Sequence, residues 1–558
     1  MSTDAVIDAV VPPRPLARVL ALISLLHEPF DYHSATRLFA NRPVLAGTLE
    51  RVVACSRVTD ISILCWDEQA DAATDVAVQF GAEVVAKGPY RHVPQIESIA
   101  AARRWSDGWR GGLLQTVAYD AGFHATWFAE ACVPVDAEAV VLIPPTSVLL
   151  EPSYIDQLIE LAEHRPNAEW TFTPTAPGIA GLVLTRQQVK SLASIQAHPG
   201  RLFAYRPEAP RRDPIAQDFC LHAPARLTRT TQRLTIDSDR QARSVSLGVL
   251  SSAEEAIESL ETRTQVDPMP RDVTLELNTS RATTPQFLPA LERPPLPLEH
   301  ARTLFAELGK VDDVLLTLGG LGDPLLHPQF DEMLAVARRA GVRAIHVETD
   351  LLPPDSSLLE SLARHGVDVV SVSIPAMTQP TYASIMGVDR IRDVLENVKQ
   401  LLLLRAKLNF GTPIVVPTFA KCDANLAEME SWYDHWLRAW ARLRSLGRAT
   451  SAARSPTSAW PRCARRHARL ADGSPRASRC CATALSSLAR MTSAACDRWG
   501  RSGTRQSVKH SPGQCNPCAT ITPPVGLPAT RCARNARTGI AREGEDDECA
   551  RCHPRTRW

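Results

Sequence analysis

Between Cys220 and Cys422 the chain has no cysteine. A stretch of that length without a thiol cannot build a disulfide, a thiolate-held zinc or an iron–sulfur cluster from its own residues. No apolar run approaches the ~20 residues of a membrane-spanning helix, so no transmembrane segment is expected. The opening residues 1–15 carry two Asp, and no small-residue cleavage site follows the apolar stretch 16–26. No signal peptide is therefore expected, and the cytosol is the expected compartment. Isoleucine and valine almost vanish after residue 436, with two of each in the last 122 residues. Hydrophobic periodicity stops near Trp440, which excludes an ordinary apolar core for the tail.

What the 558 residues do contain suffices for roughly two to four domains. Charge is divided unevenly. Residues 437–558 hold 22 Arg and one Lys against seven Asp and Glu, a balance of +16, so residues 1–436 carry −15 of the overall +1. A basic tail suits nucleic acid. Here, however, Arg is hardly interleaved with Lys or aromatics, and nucleic acid is not the expected partner. Nine of the 14 cysteines also crowd into 463–552. Arg, Ala, Ser, Pro and Cys with a single Lys is the composition that GC-rich DNA yields when read out of frame, and such a tail would be disordered. The cysteines support a second reading, a metal-binding module.

Over residues 1–245 short apolar runs alternate with helical stretches. Residues 19–25, 61–65, 83–86, 139–143, 170–172 and 181–185 read as strands; 43–55, 70–80, 95–102 and 154–163 read as helices. That alternation predicts an α/β, Rossmann-type domain with a mostly parallel sheet, its ligand edge at the carboxyl ends of the strands. The loop at 105–113 (WSDGWRGGL) reads as a turn packing its own aromatics or as a stacking, anion-binding loop.

Several words in this region are similar to the nucleotidyltransferase fold that activates sugars with CTP or other nucleotides. They are 34–39 with 42–51, then 143–155, and LTIDSD at 234–239. The resemblance implies nucleotide-binding roles for Arg37, Asp237 and Asp239. Two departures bear on chemistry. Residues 26–31 contain no glycine where the family's phosphate loop lies, and Pro144 or Pro145 replaces the Asp that would hold Mg²⁺. A scaffold or sugar-binding domain without transferase activity is expected.

Residues 246–270 read as a helix and polar linker, and 271–440 as a second α/β unit. Its centre is DVLLTLGGLGDPLLHP at 313–328: a buried strand, a glycine turn, then an outgoing helix near His327. The stretch resembles the GGxGEP motif of the radical S-adenosylmethionine superfamily, with Asp323 in place of Glu. The strands at 273–278, 344–350, 367–374 and 414–418 keep step with that family, which implies a partial (β/α) barrel. By the resemblance Gly319, Gly320, Gly322, Asp323 and Ser373 would face the cofactor. The family's CxxxCxxC loop falls at 279–288, which reads TSRATTPQFL. Ser, Thr and Arg cannot replace three soft thiolates. The expectation is a degenerate barrel without the cluster that cleaves S-adenosylmethionine, its substrate unspecified.

The tail in turn resembles the cysteine-rich SPASM domain that follows many such barrels. Cys463, Asp472-Gly473 and Cys480 are similar to its "C…DG…C" segment, Cys549 and Cys552 to its closing CxxC, and Cys515 with Cys518 makes a second CxxC. The resemblance implies an auxiliary 4Fe–4S cluster on these six cysteines. Three functional readings stay open: the degenerate radical-SAM-like protein, an active sugar nucleotidyltransferase, and a basic-tailed nucleic-acid binder.

Overall fold

The computed structural model describes residues 12–443 except 31, 206–211, 246–251, 263–266, 268 and 354. The tail from 444, with its nine cysteines and the whole SPASM-like expectation, lies outside the described residues. The first lobe is built on six strands: β1 (Val19–Ser24), β2 (Asp60–Cys65), β3 (Glu83–Ala86), β4 (Ala139–Leu142), β5 (Trp170–Thr171) and β6 (Leu182–Thr185). Their order is β3-β2-β1-β4-β6-β5. β3, β2, β1 and β4 run parallel, and β6 pairs antiparallel with both β4 and β5. β4, and β1 and β6 but for Ser24 and Thr185 at their ends, are apolar because the sheet is covered on both faces. Val19, Ala21 and Ile23 meet helices α1 (Val44–Val53), α2 (Asp67–Ala77) and, further on in the chain, Pro152–His164. Leu20 and Leu22 face the opposite core, with Ile96 of α3 (Pro94–Arg104) and Phe123, Phe128 and Phe172. The chain runs outward from β1 to β3, then returns to β4 on the other side. The strand order therefore reverses between the carboxyl ends of β1 and β4, where open α/β sheets bind ligands.

The region expected to be a helix and linker is in part a docked element. The helix Ala253–Thr262 buries Ala253, Ala256 and Ile257 against Val44, Val148 and Leu149 of the first lobe.

The second lobe has five parallel strands in sequential order: β7 (Asp272–Leu275), β8 (Leu315–Leu318), β9 (Ala344–Thr349), β10 (Val369–Ser373) and β11 (Ile414–Thr418). This is an open parallel α/β sheet, with β7 and β11 as its two edges. One helix shows why the sequence folds this way. Phe330–Arg339 buries Phe330, Met333, Leu334 and Ala337 at helical spacing, with Asp331 and Glu332 in its first turn and Arg338 and Arg339 in its last, each favourable to the helix dipole. Alternate residues of the strands divide the two faces. Leu316, Leu318, Ile345, Val347, Val370, Val372 and Val415 meet the helices.

The other face is filled at its base by the first lobe. Val369, Ile414 and Val416 bury against Ala101 and Ala102 of α3 and Leu113 and Leu114 beyond it. Trp105 meets His346 edge-on at 5.4 Å. His346 in turn contacts Ser371 Oγ at 2.8 Å and Thr317 Oγ1 at 3.3 Å. At the start of β11, a Cβ on Gly411 would lie 2.1 Å from the Pro94 carbonyl oxygen, so the close approach needs glycine. Ion pairs ring this junction: Arg37–Asp312, Arg240–Asp313, Arg271–Asp107 and Arg104–Asp368. The described residues belong to one compact unit.

Candidate functional site

The glycine turn after β8 is closed by the protein's own groups. Asp323 is fully buried, and its two carboxylate oxygens accept from Leu325 N–H (3.0 Å), Thr349 O–H (2.8 Å) and Asp350 N–H (2.9 Å). Burial, then the neighbouring Asp350 charge, pushes its pKa up to about 6. Its backbone is held as well, with its N–H donating to Ser280 and its C=O accepting from Asn278 Nδ2. Gly320 has φ +133°, and a Cβ there would lie 2.7 Å from Glu276 Oε2, which already accepts from Leu321 N–H at 2.7 Å. A Cβ on Gly319 would meet Glu348 Oε2 at 2.6 Å, and one on Gly322 the Asn278 carbonyl oxygen at 2.0 Å. The glycines are thus needed for packing against carboxylates and backbone of the neighbouring strands. Ser373 ends β10, half-buried on the same edge.

The loop at 279–288 is pinned rather than open. Thr283 Oγ1 donates to Asp350 at 2.5 Å, Thr284 N–H to Met386 C=O at 2.8 Å, and Gln286 N–H to Ile385 C=O at 2.9 Å. Arg281 lies 3.3 Å from the buried Asp350 carboxylate. A guanidinium and two hydroxyls therefore stand where a cluster would need thiolates, and these residues do not fit a 4Fe–4S group.

The carboxyl edge of the first sheet differs. Ser147, after β4, and Thr173 and Thr175, after β5, are fully buried, and none of their hydroxyls has a hydrogen-bond partner. His27, after β1, also has an unpartnered Nδ1, which faces Gly122. Burial, then the Arg104 charge, lowers the His27 pKa to about 4, so it stays neutral. Next to it Glu28 accepts from Ser34 N–H (2.8 Å) and O–H (3.0 Å), and burial pushes its pKa up to about 7. Asp237 exerts its field on His27, Glu28 and Arg103 and accepts from Arg233 at 2.7 Å. The segment carrying it is tied to the β4 loop by Ile236 N–H to Thr146 C=O, 2.9 Å. Buried polar groups ordinarily find partners, so several orphans at one sheet edge mark a place built for something else to complete.

Of the other residues flagged in the sequence, Arg37 is 6% exposed, stacks over Tyr32 at 4.1 Å and pairs with Asp312 at 2.9 Å. Asp239 accepts from Tyr32 O–H and donates its N–H to Asp312. Arg37 and Asp239 thus converge with Asp312 on the junction between the lobes, while Asp237 sits by His27. The 105–113 loop packs its aromatics: Trp105 on His346 and Trp109 stacked on Phe172. Ser147, Thr173 and Thr175 carry no sequence signal, since single Ser and Thr are common in loops. Among the described residues no group of three or more His, Cys, Asp or Glu is arranged to hold a metal. A surface recess lined by Val52, Val58, Asp60, Phe80, Glu83 and Val135 lies at the opposite, amino-terminal edge.

The chain resembles known structures only in part. A cytidylyltransferase from Leptospira borgpetersenii is similar at 15% identity and TM-score 0.31, covering 45% of this chain and 98% of that one. Streptococcus suis SuiB bound to precursor peptide SuiA is similar at 14% identity and TM-score 0.24, covering 29% and 36%. BtrN in complex with AdoMet and 2-DOIA is similar at 16% identity and TM-score 0.21, covering 27% and 57%. No protein-family model and no curated protein matches the chain. No described helix is long and apolar enough to cross a membrane.

Proposed function

We propose that the chain is a degenerate radical-SAM-like protein whose second lobe does not cleave S-adenosylmethionine. The observation that carries this reading is the Arg281–Asp350 pair in the loop that would hold the cluster, beside an Asp323 whose oxygens are already used. The test is anaerobic iron–sulfur reconstitution of the full chain, followed by assay for 5′-deoxyadenosine from S-adenosylmethionine under reduction. None is expected, and turnover would overturn the reading. Any auxiliary 4Fe–4S cluster would sit on the tail. Bound iron is then expected to fall when Cys549 and Cys552 are replaced by Ser.

A second reading is favoured by the orphaned hydroxyls of the first lobe. There the carboxyl edge of the first sheet binds a nucleotide or nucleotide-sugar without transferring it, since Pro144 and Pro145 offer no metal ligand. CTP, used as the probe in calorimetry on the full chain, is expected to bind wild type and to lose at least tenfold in affinity in T173V/T175V. Equal affinity in the two proteins would sink this reading.

A further inference from the structure

The cations of the first-lobe edge are answered from the second lobe. Asp312, just before β8, places Oδ2 2.9 Å from Arg37 Nη2, and both side chains are nearly buried at 11% and 6% exposure. The same carboxylate accepts the Asp239 N–H at 3.2 and 3.3 Å. A guanidinium and a backbone amide converging on one carboxylate are the donors that a phosphate oxygen would take. Next along the chain Asp313 engages Arg240 through Nε (2.8 Å) and Nη2 (3.1 Å). The Tyr32 ring stacks on Arg37 and its hydroxyl donates to Asp239, which holds the guanidinium in place.

We propose that Asp312 is an internal competitor for anions: it occupies Arg37 and the Asp239 amide, so a phosphate or pyrophosphate group reaches the first-lobe edge only by displacing it. The inference rests on the reading of that edge as a ligand site, and it adds its regulation. The second lobe holds the edge in a neutralised state. Removing the Asp312 charge unmasks Arg37, because nothing else described supplies a carboxylate within bonding distance of it. Burial opposes charge on Asp312, and the nearby Asp239 and Asp313 charges oppose it further, while Arg37 favours it. An incoming phosphate would meet that same crowd of carboxylates, which deepens the competition.

The test uses the full chain and inorganic pyrophosphate by calorimetry, with folding of each variant checked by circular dichroism. Asp312→Asn keeps the shape and removes the charge. It is expected to bind pyrophosphate at least tenfold more tightly than wild type, and R37Q/D312N is expected to lose that gain. An unchanged affinity in D312N, or a gain that survives in R37Q/D312N, would overturn the proposal. Should D312N fail to fold, hydrogen exchange on the wild type decides. Pyrophosphate is expected to change exchange at the Asp239 amide as the anion takes that donor over from Asp312, and unchanged exchange there overturns the proposal. The T173V/T175V measurement with CTP is separate. A pyrophosphate gain in D312N beside CTP binding that ignores Thr173 and Thr175 sinks the pocket reading alone, and the reverse pattern sinks only the competition.

Discussion

Glu28 shows how one residue ties the first-lobe edge to pH. Its carboxyl is partly withdrawn from water, and two donors from Ser34 only partly offset that burial. With a folded pKa of about 7 against an ordinary 4.5, the native state binds the proton more tightly than the unfolded chain. The resulting stability is fully present below about 4.5 and is lost as pH rises through 7. His27 and His346, lowered to about 4, work the other way: the native state keeps them neutral, so they cost stability as pH falls from 6.5 toward 4. The two effects are separated by Glu28→Gln, which removes only the first. Between pH 5 and pH 8 wild type is expected to lose on the order of 2 kcal/mol relative to E28Q. Urea denaturation at the two pH values checks this, and parallel pH profiles would refute it.

At the scale of elements, α3 and the loop after it serve both lobes. Ile96 faces the first core, while Ala101 and Ala102 face the second sheet. Leu114 and Gln115 follow with φ of +62° and +60°, left-handed conformations that side chains disfavour and that persist only where packing imposes them. Trp105 is the largest side chain of this plug, half-buried against His346. Trp105→Ala is expected to cost about 2–4 kcal/mol, below the loss for a fully buried Trp. It is also expected to raise amide exchange in β10 and β11 more than in β2 and β3. Exchange rising equally in all four strands would show that the plug does not act on the second sheet in particular.

For the whole molecule, the junction makes the two sheets interdependent. A second lobe separated from α3 would expose Val369, Ile414 and Val416 and leave Asp368 without Arg104. Apolar burial of that kind is worth about 25 cal/mol per Å², and the buried Asp368 carboxylate would keep only the Ile345 N–H and the more distant Arg338 to offset its charge. The described residues are therefore expected to unfold in one transition. Tryptophan fluorescence and far-ultraviolet circular dichroism should give coincident denaturation curves. Two resolved transitions would mean that the lobes are independent domains.

Much of the secondary structure was legible in the residues themselves. β1 and β4 are nearly continuous apolar runs because parallel strands are buried on both faces, and β8 and β10 are apolar but for Thr317, Ser371 and Ser373; each reads as a strand on its own. The glycine turn at 319–322 and the missing thiolates at 279–288 were equally plain, because glycine tolerance and metal softness belong to residue types. Arg37, Asp237 and Asp239 were visible as candidates, but their partners were not. Asp312 lies 275 residues from Arg37, and nothing local marks the pair. Ser147, Thr173 and Thr175 became a candidate site only when the ends of β4 and β5 fell on one edge of the sheet. The same holds for Asp323, whose chemistry follows from donors on Leu325, Thr349 and Asp350. Residue type and local pattern determined the elements and the kinds of ligand atom that each loop offers. Burial, the meeting of distant charges and the docking of one lobe into the other were decided by tertiary structure, because each depends on groups far apart in the chain.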